Sequence, residues 1–352
     1  MTPLKIKEIM KKLLRKLRKK DELPSSSRIT TETVIQHREK ILSGGRRFKH
    51  PTQYTKNKLV YNAILISLSA LFITIIIGWQ QLYIAQNTSD FMYRVTKVIP
   101  VPVAVVDGQY AMYSDYLMLY RNSVYFYEKQ HQLNYKSDDG KRQIEYIKQQ
   151  SMESVITDAY VLKLSKSLNI SVSDKELEAL LKEQRQSSNG EISQQTYDAS
   201  TLDLLGWSPT EYRYYIKNGM LRRKVAYAMD KDALKITNSL EEEINKDQKI
   251  DFNKLASTYT DKEKNKVLFG NSGWVPRNNL DGGLAVEASK LKKLEVSKIV
   301  KSTTGNGYYI VRLLDINKDN VKYEYINIPL TAFSKSLDKI ISEDKVQKYI
   351  SI

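Results

Sequence analysis

Residues 59–78 read LVYNAILISLSALFITIIIG, and no charged residue occurs between Lys58 and Asp90. Twelve of these twenty residues are Leu, Ile, Val or Phe, and twenty residues in a helix span about 30 Å, the thickness of the hydrocarbon core of a bilayer. We therefore predict a membrane-spanning helix. Together with the residues expected at the membrane interface, it covers residues 59–84. A cleaved signal peptide is the alternative, but its apolar region would be shorter and closer to the N-terminus.

The positive charge of the chain is concentrated ahead of this stretch. Residues 1–58 contain 17 Lys and Arg against 5 Asp and Glu, a net charge of +12 out of +16 for the whole chain. Because short basic flanks stay in the cytoplasm, we expect a cytoplasmic N-terminus in the cell membrane and an extracytoplasmic remainder, residues 85–352. Since this remainder is nearly neutral, the basic composition does not indicate a nucleic-acid partner.

Within the tail, residues 3–20 place apolar residues near helical spacing, with Lys and Arg on the other face. This pattern predicts a basic amphipathic helix on the inner leaflet. Membrane lipid is then the expected partner of the basic tail as well as of residues 59–84. A solvated basic arm and a nucleic-acid-binding arm are the alternatives.

Several classes of chemistry lack the residues they need. The chain has no Cys, which removes thiol catalysis, disulfides and Cys-based zinc sites. Its three His, at positions 37, 50 and 131, form no HExxH motif and no Ser/His/Asp set with the C-terminal half. We expect no metal, nucleotide or redox cofactor.

The extracytoplasmic part begins with helical patterns. Residues 98–108 predict an extended segment that ends in an Asp-Gly turn, and Ser114 can cap the helix that follows. A long helix is predicted over about 141–168. Two S-x-x-E capping boxes, each at the start of a further helix, are formed by Ser173 with Glu176 and by Ser208 with Glu211, where Pro209 takes the first helical position.

One helix carries an aromatic stripe at three- and four-residue steps. Its members are Tyr113, Tyr116, Tyr120, Val124 and Tyr127. Packing between helices is one interpretation of this stripe, and an aromatic surface for client polypeptides is the other.

The segments VAVVDGQYAMYSDYL, ISVSDKELEALL and LLGWSPTEYRYYIKNGMLRRKV follow in this order, and here the chain resembles the helical chaperone region of SurA- and PrsA-type foldases. Residues 233–315 resemble the parvulin class of peptidyl-prolyl isomerases. The motifs that carry this second resemblance are DFNKLA from Asp251, GNSGW from Gly270, LKKLEVS from Leu291 and GYYIV from Gly307.

The polar catalytic positions of the parvulin pattern are substituted. The strand histidine of the family corresponds to Tyr309, and its Cys-or-Asp position corresponds to Lys262. The first strand of the family, with a second histidine, is missing before residue 233. Residues 321–328 resemble it, with Tyr325 in the histidine place. We hypothesise a local circular permutation in which this strand pairs antiparallel with residues 308–314. The alternative is that both tyrosines are ordinary strand residues.

The resemblance implies that Trp274, Leu280 and Leu284 contact substrate, the two leucines where the family keeps an apolar floor for proline; plain core residues are the alternative. Rotation of an X-Pro bond must overcome about 18–20 kcal/mol of amide resonance. An enzyme lowers this barrier by favouring the twisted bond. Tyrosine, with an ordinary pKa of about 10, donates hydrogen bonds but does not titrate like imidazole. We therefore expect weak or no isomerase activity.

The sequence thus predicts an α+β protein with one membrane helix and a foldase function. Its expected partners are unfolded or newly secreted polypeptides. An active prolyl isomerase and a tethered structural or adaptor protein are the alternatives. The predicted regions are a basic tail (1–58), a membrane helix (59–84), a linker (85–104), a helical SurA-N-like domain (105–232), a parvulin-like domain (233–330) and a C-terminal helix (331–352).

Overall fold

A computed structural model describes residues 30–49, 53–187, 190–263 and 266–352. The amphipathic helix predicted over residues 3–20 lies outside them. The chain divides into two compact units between Gly78 and Trp79, and each is described by itself.

In its described residues, the first unit is helical. Its helices are α1 (Thr31–Lys49) and α2 (Gln53–Trp79), the latter ending one residue beyond the unit boundary. A π-helical turn at Gln80–Ile84 belongs to the second unit. Within residues 58–84, the most apolar window of 18 residues has a mean hydropathy of 2.3, and none of that window is buried within the protein. Among the described helices, the one over residues 58–84 alone has the length and composition to cross a membrane.

The second unit begins with a mostly helical region. Its helices are α3 (Asp90–Val98), α4 (Tyr113–His131), α5 (Asp138–Ser167), α6 (Asp174–Gln184), α7 (Gln194–Leu205) and α8 (Pro209–Met229). Its short strands are β1 (Pro102–Val106), β2 (Gln109–Met112), β3 (Gln186–Ser187) and β4 (Gly190–Glu191). β1 and β2 form an antiparallel hairpin around Asp107 and Gly108, both of which have positive φ.

Both predicted capping boxes are present and begin α6 and α8. Ser114 does not cap α4, because β2 leads directly into this helix and the Tyr113 amide donates to the carbonyl of Val101. Residue 98 is also not extended, since it ends α3, whose N-terminus is capped by Ser89. The tyrosines at the start of the aromatic stripe, Tyr113, Tyr116 and Tyr120, are buried, so this part of the stripe is helix packing.

A four-stranded antiparallel sheet follows, in the order β5-β8-β7-β6. Its strands are β5 (Leu268–Pro276), β6 (Val300–Lys301), β7 (Gly307–Ile316) and β8 (Asn320–Pro329), and its helices are α9 (Lys231–Lys246), α10 (Phe252–Glu263) and α11 (Leu284–Ala288). The α+β class and the order of a mostly helical region before a small sheet region are as predicted.

The sheet has a different core on each face. α9 and α10 cover one face, where Tyr308, Ile310 and Ile326 are buried. α11 covers the other face, where Tyr309, Val311 and Tyr323 are buried. Neighbouring residues of β7 therefore belong to opposite cores, as the period of two along a strand requires.

The chain returns to the helical region at its C-terminus. Residues 331–352, which the sequence predicts as a helix, hold α12 (Ala332–Ser342) and then a strand, β9 (Val346–Lys348). β9 pairs antiparallel with β1, with Val106 opposite Val346. Ile350 is buried in the core of the helical region. A strand forms here because the free edge of β1 offers backbone partners that a local sequence pattern does not reveal.

Candidate functional site

Tyr309 and Tyr325, the two tyrosines that the sequence comparison predicts at histidine positions, lie side by side on the α11 face of the sheet. β8 pairs antiparallel with β7 over its length, with Val311 opposite Tyr325 and Tyr309 opposite Asn327. The ring centroids of Tyr309 and Tyr325 are 5.6 Å apart, at an interplanar angle of 57°. The strand pairing required by the permutation hypothesis is therefore present.

A third tyrosine extends this pair. Tyr323 lies 6.2 Å from Tyr325 between ring centroids and donates a hydrogen bond of 2.5 Å to Oδ2 of Asp281. The same carboxylate accepts from the Ala285 amide at the start of α11. Burial, and then the hydrogen bond to Asp281, raise the pKa of Tyr323 well above 10. Asp281 thus ties the tyrosine cluster to the helix that covers it.

Gly270 makes room for Tyr325. The two residues are opposite each other on β5 and β8. A Cβ atom at position 270 would come within 2.4 Å of Cζ of the Tyr325 ring, far closer than two carbon atoms can approach. The first glycine of the GNSGW motif therefore fixes the position of this tyrosine.

The other predicted site residues are dispersed. Leu284 is buried in the same core as Tyr309. Leu280 is 99% exposed in the loop before α11, so the two leucines do not form one apolar floor. Trp274 is 51% exposed on β5. The backbone of Lys262 belongs to α10, and its side chain is outside what the structure describes.

This arrangement suits binding better than proton transfer. Burial raises the pKa of Tyr309 above its ordinary value, and the adjacent Tyr325 adds to the effect. Both Tyr309 and Tyr323 are therefore neutral near pH 7 and offer a hydroxyl and an aromatic ring. Within the described residues, no group of three or more His, Asp or Glu is placed to hold a metal ion.

A second candidate site is a cavity of about 300 Å³ in the helical region. β2, α4, α5 and α8 form its walls, and its lining includes Tyr110, Asp115, Leu162 and Tyr214. Three of these side chains are also exposed, by 54% for Tyr110, 39% for Leu162 and 43% for Tyr214. No local sequence pattern indicates this cavity, because its lining residues lie between positions 109 and 221 of the chain.

Asp115 is the acidic group of this cavity. It accepts a hydrogen bond of 3.1 Å from the hydroxyl of Tyr214. Burial raises its pKa to about 6, although the Tyr214 hydrogen bond acts in the opposite direction. Nearby Asp158 is ion-paired with Arg222 at 2.6 Å. The cavity therefore combines apolar and aromatic walls with one carboxyl group that has no cation partner in the described chain.

Comparison with known families supports the sequence-based resemblance. Residues 52–226 match the model of the SurA-like N-terminal domain. Residues 221–315 match the model of the PPIC-type peptidyl-prolyl isomerase domain. The chain is therefore a SurA/PrsA-like foldase by its domain composition. The second match ends before β8, so the strand that carries Tyr325 lies outside the family pattern.

One solved structure similar to this chain comes from Campylobacter jejuni and belongs to a study of PEB4 and Cj1289, described as two related SurA-like chaperones. It is 16% identical, and the alignment covers 70% of this chain and 91% of that chain with a TM-score of 0.24. No curated protein matched the chain.

Proposed function

We propose that this protein is a membrane-anchored, extracytoplasmic chaperone that binds unfolded or newly secreted polypeptides. The observation that carries the proposal is the cavity in the SurA-like region, where Tyr110, Leu162 and Tyr214 are all partly exposed. Exposed aromatic and apolar side chains around one concave surface are typical of binding sites. An extended client segment can place apolar side chains there.

Fluorescence anisotropy of a labelled, permanently unfolded model protein tests this proposal. The full chain is purified in detergent, and the double variant Tyr110→Asn/Leu162→Asn is compared with the control Tyr146→Asn/Leu202→Asn. The control residues are 52% and 51% exposed and do not line the cavity. We expect the cavity variant to bind about tenfold more weakly, because two apolar contacts are lost. Equal binding by both variants would reject the cavity as the client site.

The proposal includes an anchor formed by residues 59–84, with the basic tail in the cytoplasm. Support comes from the apolar character of this span and from the charge asymmetry around it. Because the chain has no cysteine, single replacements can report topology. In intact cells, an impermeant maleimide should label Ser171→Cys and should not label Ser43→Cys. Labelling of position 43 with protection of position 171 would reverse the proposed orientation.

The PPIC-type domain is proposed to have weak or no isomerase activity, since Tyr309 corresponds to one family histidine and the permutation hypothesis assigns Tyr325 to the other. Cis/trans exchange in a panel of proline tetrapeptides tests this with the natural chain and with Tyr309→His/Tyr325→His. Little acceleration by the natural chain is expected. Strong acceleration would favour the alternative, an active prolyl isomerase. Activity gained only in the double variant would indicate that the scaffold is intact and that the tyrosines limit the chemistry.

A tethered structural or adaptor protein remains the third alternative. It predicts no binding of unfolded chains by the natural protein. The anisotropy experiment therefore separates this class from the chaperone before any variant is compared.

A further inference from the structure

A larger cavity, of about 670 Å³, lies where the helical region meets the sheet region. Its volume is within the range of about 300–1,000 Å³ usual for ligand sites. α8, α9, β6 and the start of β7 supply most of its walls. The cationic residues of the lining are Arg223, Lys224, Lys231 and Lys301.

The lining contains four cations and no Asp or Glu. Among these four cations, Lys224 is the one with an ion pair to a described residue, Glu176. Arg223 is half-buried, and in the part of the chain that the structure describes it has no carboxylate partner. Burial lowers the pKa of Arg223, and the interaction with Tyr227 acts in the opposite direction. A bound anion would supply the missing partner.

The side chains of this wall are held in place. The Tyr227 hydroxyl donates to the carbonyls of Ser302 and Gly307, at 3.1 and 2.7 Å. Its ring meets that of Tyr308 edge-on, with centroids 5.0 Å apart. Nζ of Lys301 lies 5.7 Å from the Tyr227 ring centroid, within the usual distance for a cation–π contact.

Gly305 determines the path of Arg223. A Cβ atom at position 305 would lie 2.6 Å from Cγ of Arg223, so only glycine allows the arginine stem to pass so close to the turn. The φ of Gly305 is +81°, a second reason for glycine there. The turn between β6 and β7 therefore fits around the arginine.

We propose that this cavity binds acidic segments of client polypeptides, with a client carboxylate at Arg223 and Lys301 and a neighbouring apolar side chain against Met220, Tyr227 and Leu234. The inference rests on the proposed chaperone function and adds a charge preference to it. Charge complementarity supports an anion, and the apolar part of the lining favours a polypeptide segment over a small inorganic anion.

The test compares two labelled peptides of one extended sequence, one with Asp and Glu and the other with Asn and Gln at the same positions. Anisotropy is measured with the full chain in a neutral detergent. The variants are Arg223→Gln and Lys301→Gln, and the control is Lys254→Gln, an exposed cation on α10 outside the cavity. We expect the natural chain and the control to bind the acidic peptide about threefold to tenfold more tightly, and each cavity variant to lose that preference.

Added inorganic phosphate and vesicles of anionic lipid act as competitors. The proposal requires that inorganic phosphate displaces the acidic peptide no better than sodium chloride of matched ionic strength. It also requires that the anionic vesicles displace it no better than neutral vesicles of matched lipid content. Selective displacement by either competitor would overturn the proposal in favour of phosphate or a lipid headgroup.

Equal binding of the two peptides by the natural chain would also overturn it. In that case the unfolded model protein used for the helical cavity still reports whether the chaperone function holds. Failure of the charge preference is thus distinguished from failure of the proposed function.

Discussion

At the scale of single residues, the sheet site depends on the close approach of Gly270 and Tyr325. Gly270→Ala should lower the free energy of unfolding by about 1–3 kcal/mol, because the added methyl group displaces the tyrosine ring. Gly219→Ala is the matched control, since Gly219 lies within α8 and a Cβ there meets nothing within 4 Å. The control should gain up to about 1 kcal/mol from helix propensity. Urea unfolding in detergent measures the free energy of unfolding of both variants. A Gly270→Ala variant as stable as the natural chain would contradict the described packing.

Asp115 predicts a dependence of stability on pH. The folded protein holds the proton of this carboxyl up to about pH 6, whereas an ordinary Asp releases it near 3.8. The free energy of unfolding therefore falls as the pH rises from about 3.8 to about 6. Above about pH 6 the carboxyl is ionised in both states, and the loss of stability is complete. At pH 7 the Asp115→Asn variant should have an unfolding free energy up to about 3 kcal/mol higher than that of the natural chain. This difference should disappear below pH 4.

The control for this prediction is Asp338→Asn, an exposed aspartate on α12. Urea unfolding across pH 4–8 should give it the profile of the natural chain. If Asp115→Asn has that same profile, the carboxyl is not buried as described.

Residues of the sheet site could be predicted better than residues of the cavities. The neighbouring positions of Tyr309 and Tyr325 follow from a motif in each strand and from the antiparallel pairing of the strands. Asp115 and Arg223 carry no such signal, because their burial is produced by elements distant in sequence. Leu280 shows the limit of motif matching, since its position fits the family pattern and its side chain is fully exposed.

At the scale of elements, local chemistry explains which predictions were correct. A capping box needs only four successive residues, so the starts of α6 and α8 could be read from the sequence. Ser114 has the residue type of a cap, but the preceding hairpin already satisfies the amide of Tyr113. β9 depends entirely on the edge of β1, which lies more than two hundred residues earlier.

The C-terminal strand should contribute measurably to the stability of the second unit. Ile350, directly after β9, is 4% exposed and packs in the helical core, whereas Ile352 is 40% exposed. Ile350→Ala should cost about 2–4 kcal/mol of unfolding free energy, and Ile352→Ala should cost less than about 0.5 kcal/mol. Chemical denaturation of the two variants measures the difference. Equal costs would mean that the C-terminal segment is not docked on β1.

At the scale of the whole molecule, the second unit contains two concave surfaces of different character. The cavity of the helical region has aromatic and apolar side chains at its opening, and the cavity beside β6 is lined by cations. An unfolded polypeptide offers both apolar and acidic segments, so two such surfaces can engage different parts of one client. The tyrosine cluster under α11 is separate from both linings.

If this protein binds unfolded polypeptides as proposed, it should also keep them from aggregating. The most direct measurement is light scattering of a chemically unfolded model protein on dilution, with and without the full chain in detergent and with a detergent-only control. The account predicts that scattering falls as the chain approaches equimolar amounts and that Tyr110→Asn/Leu162→Asn suppresses it less than Tyr146→Asn/Leu202→Asn does. Scattering that is unchanged by the natural chain would contradict the account.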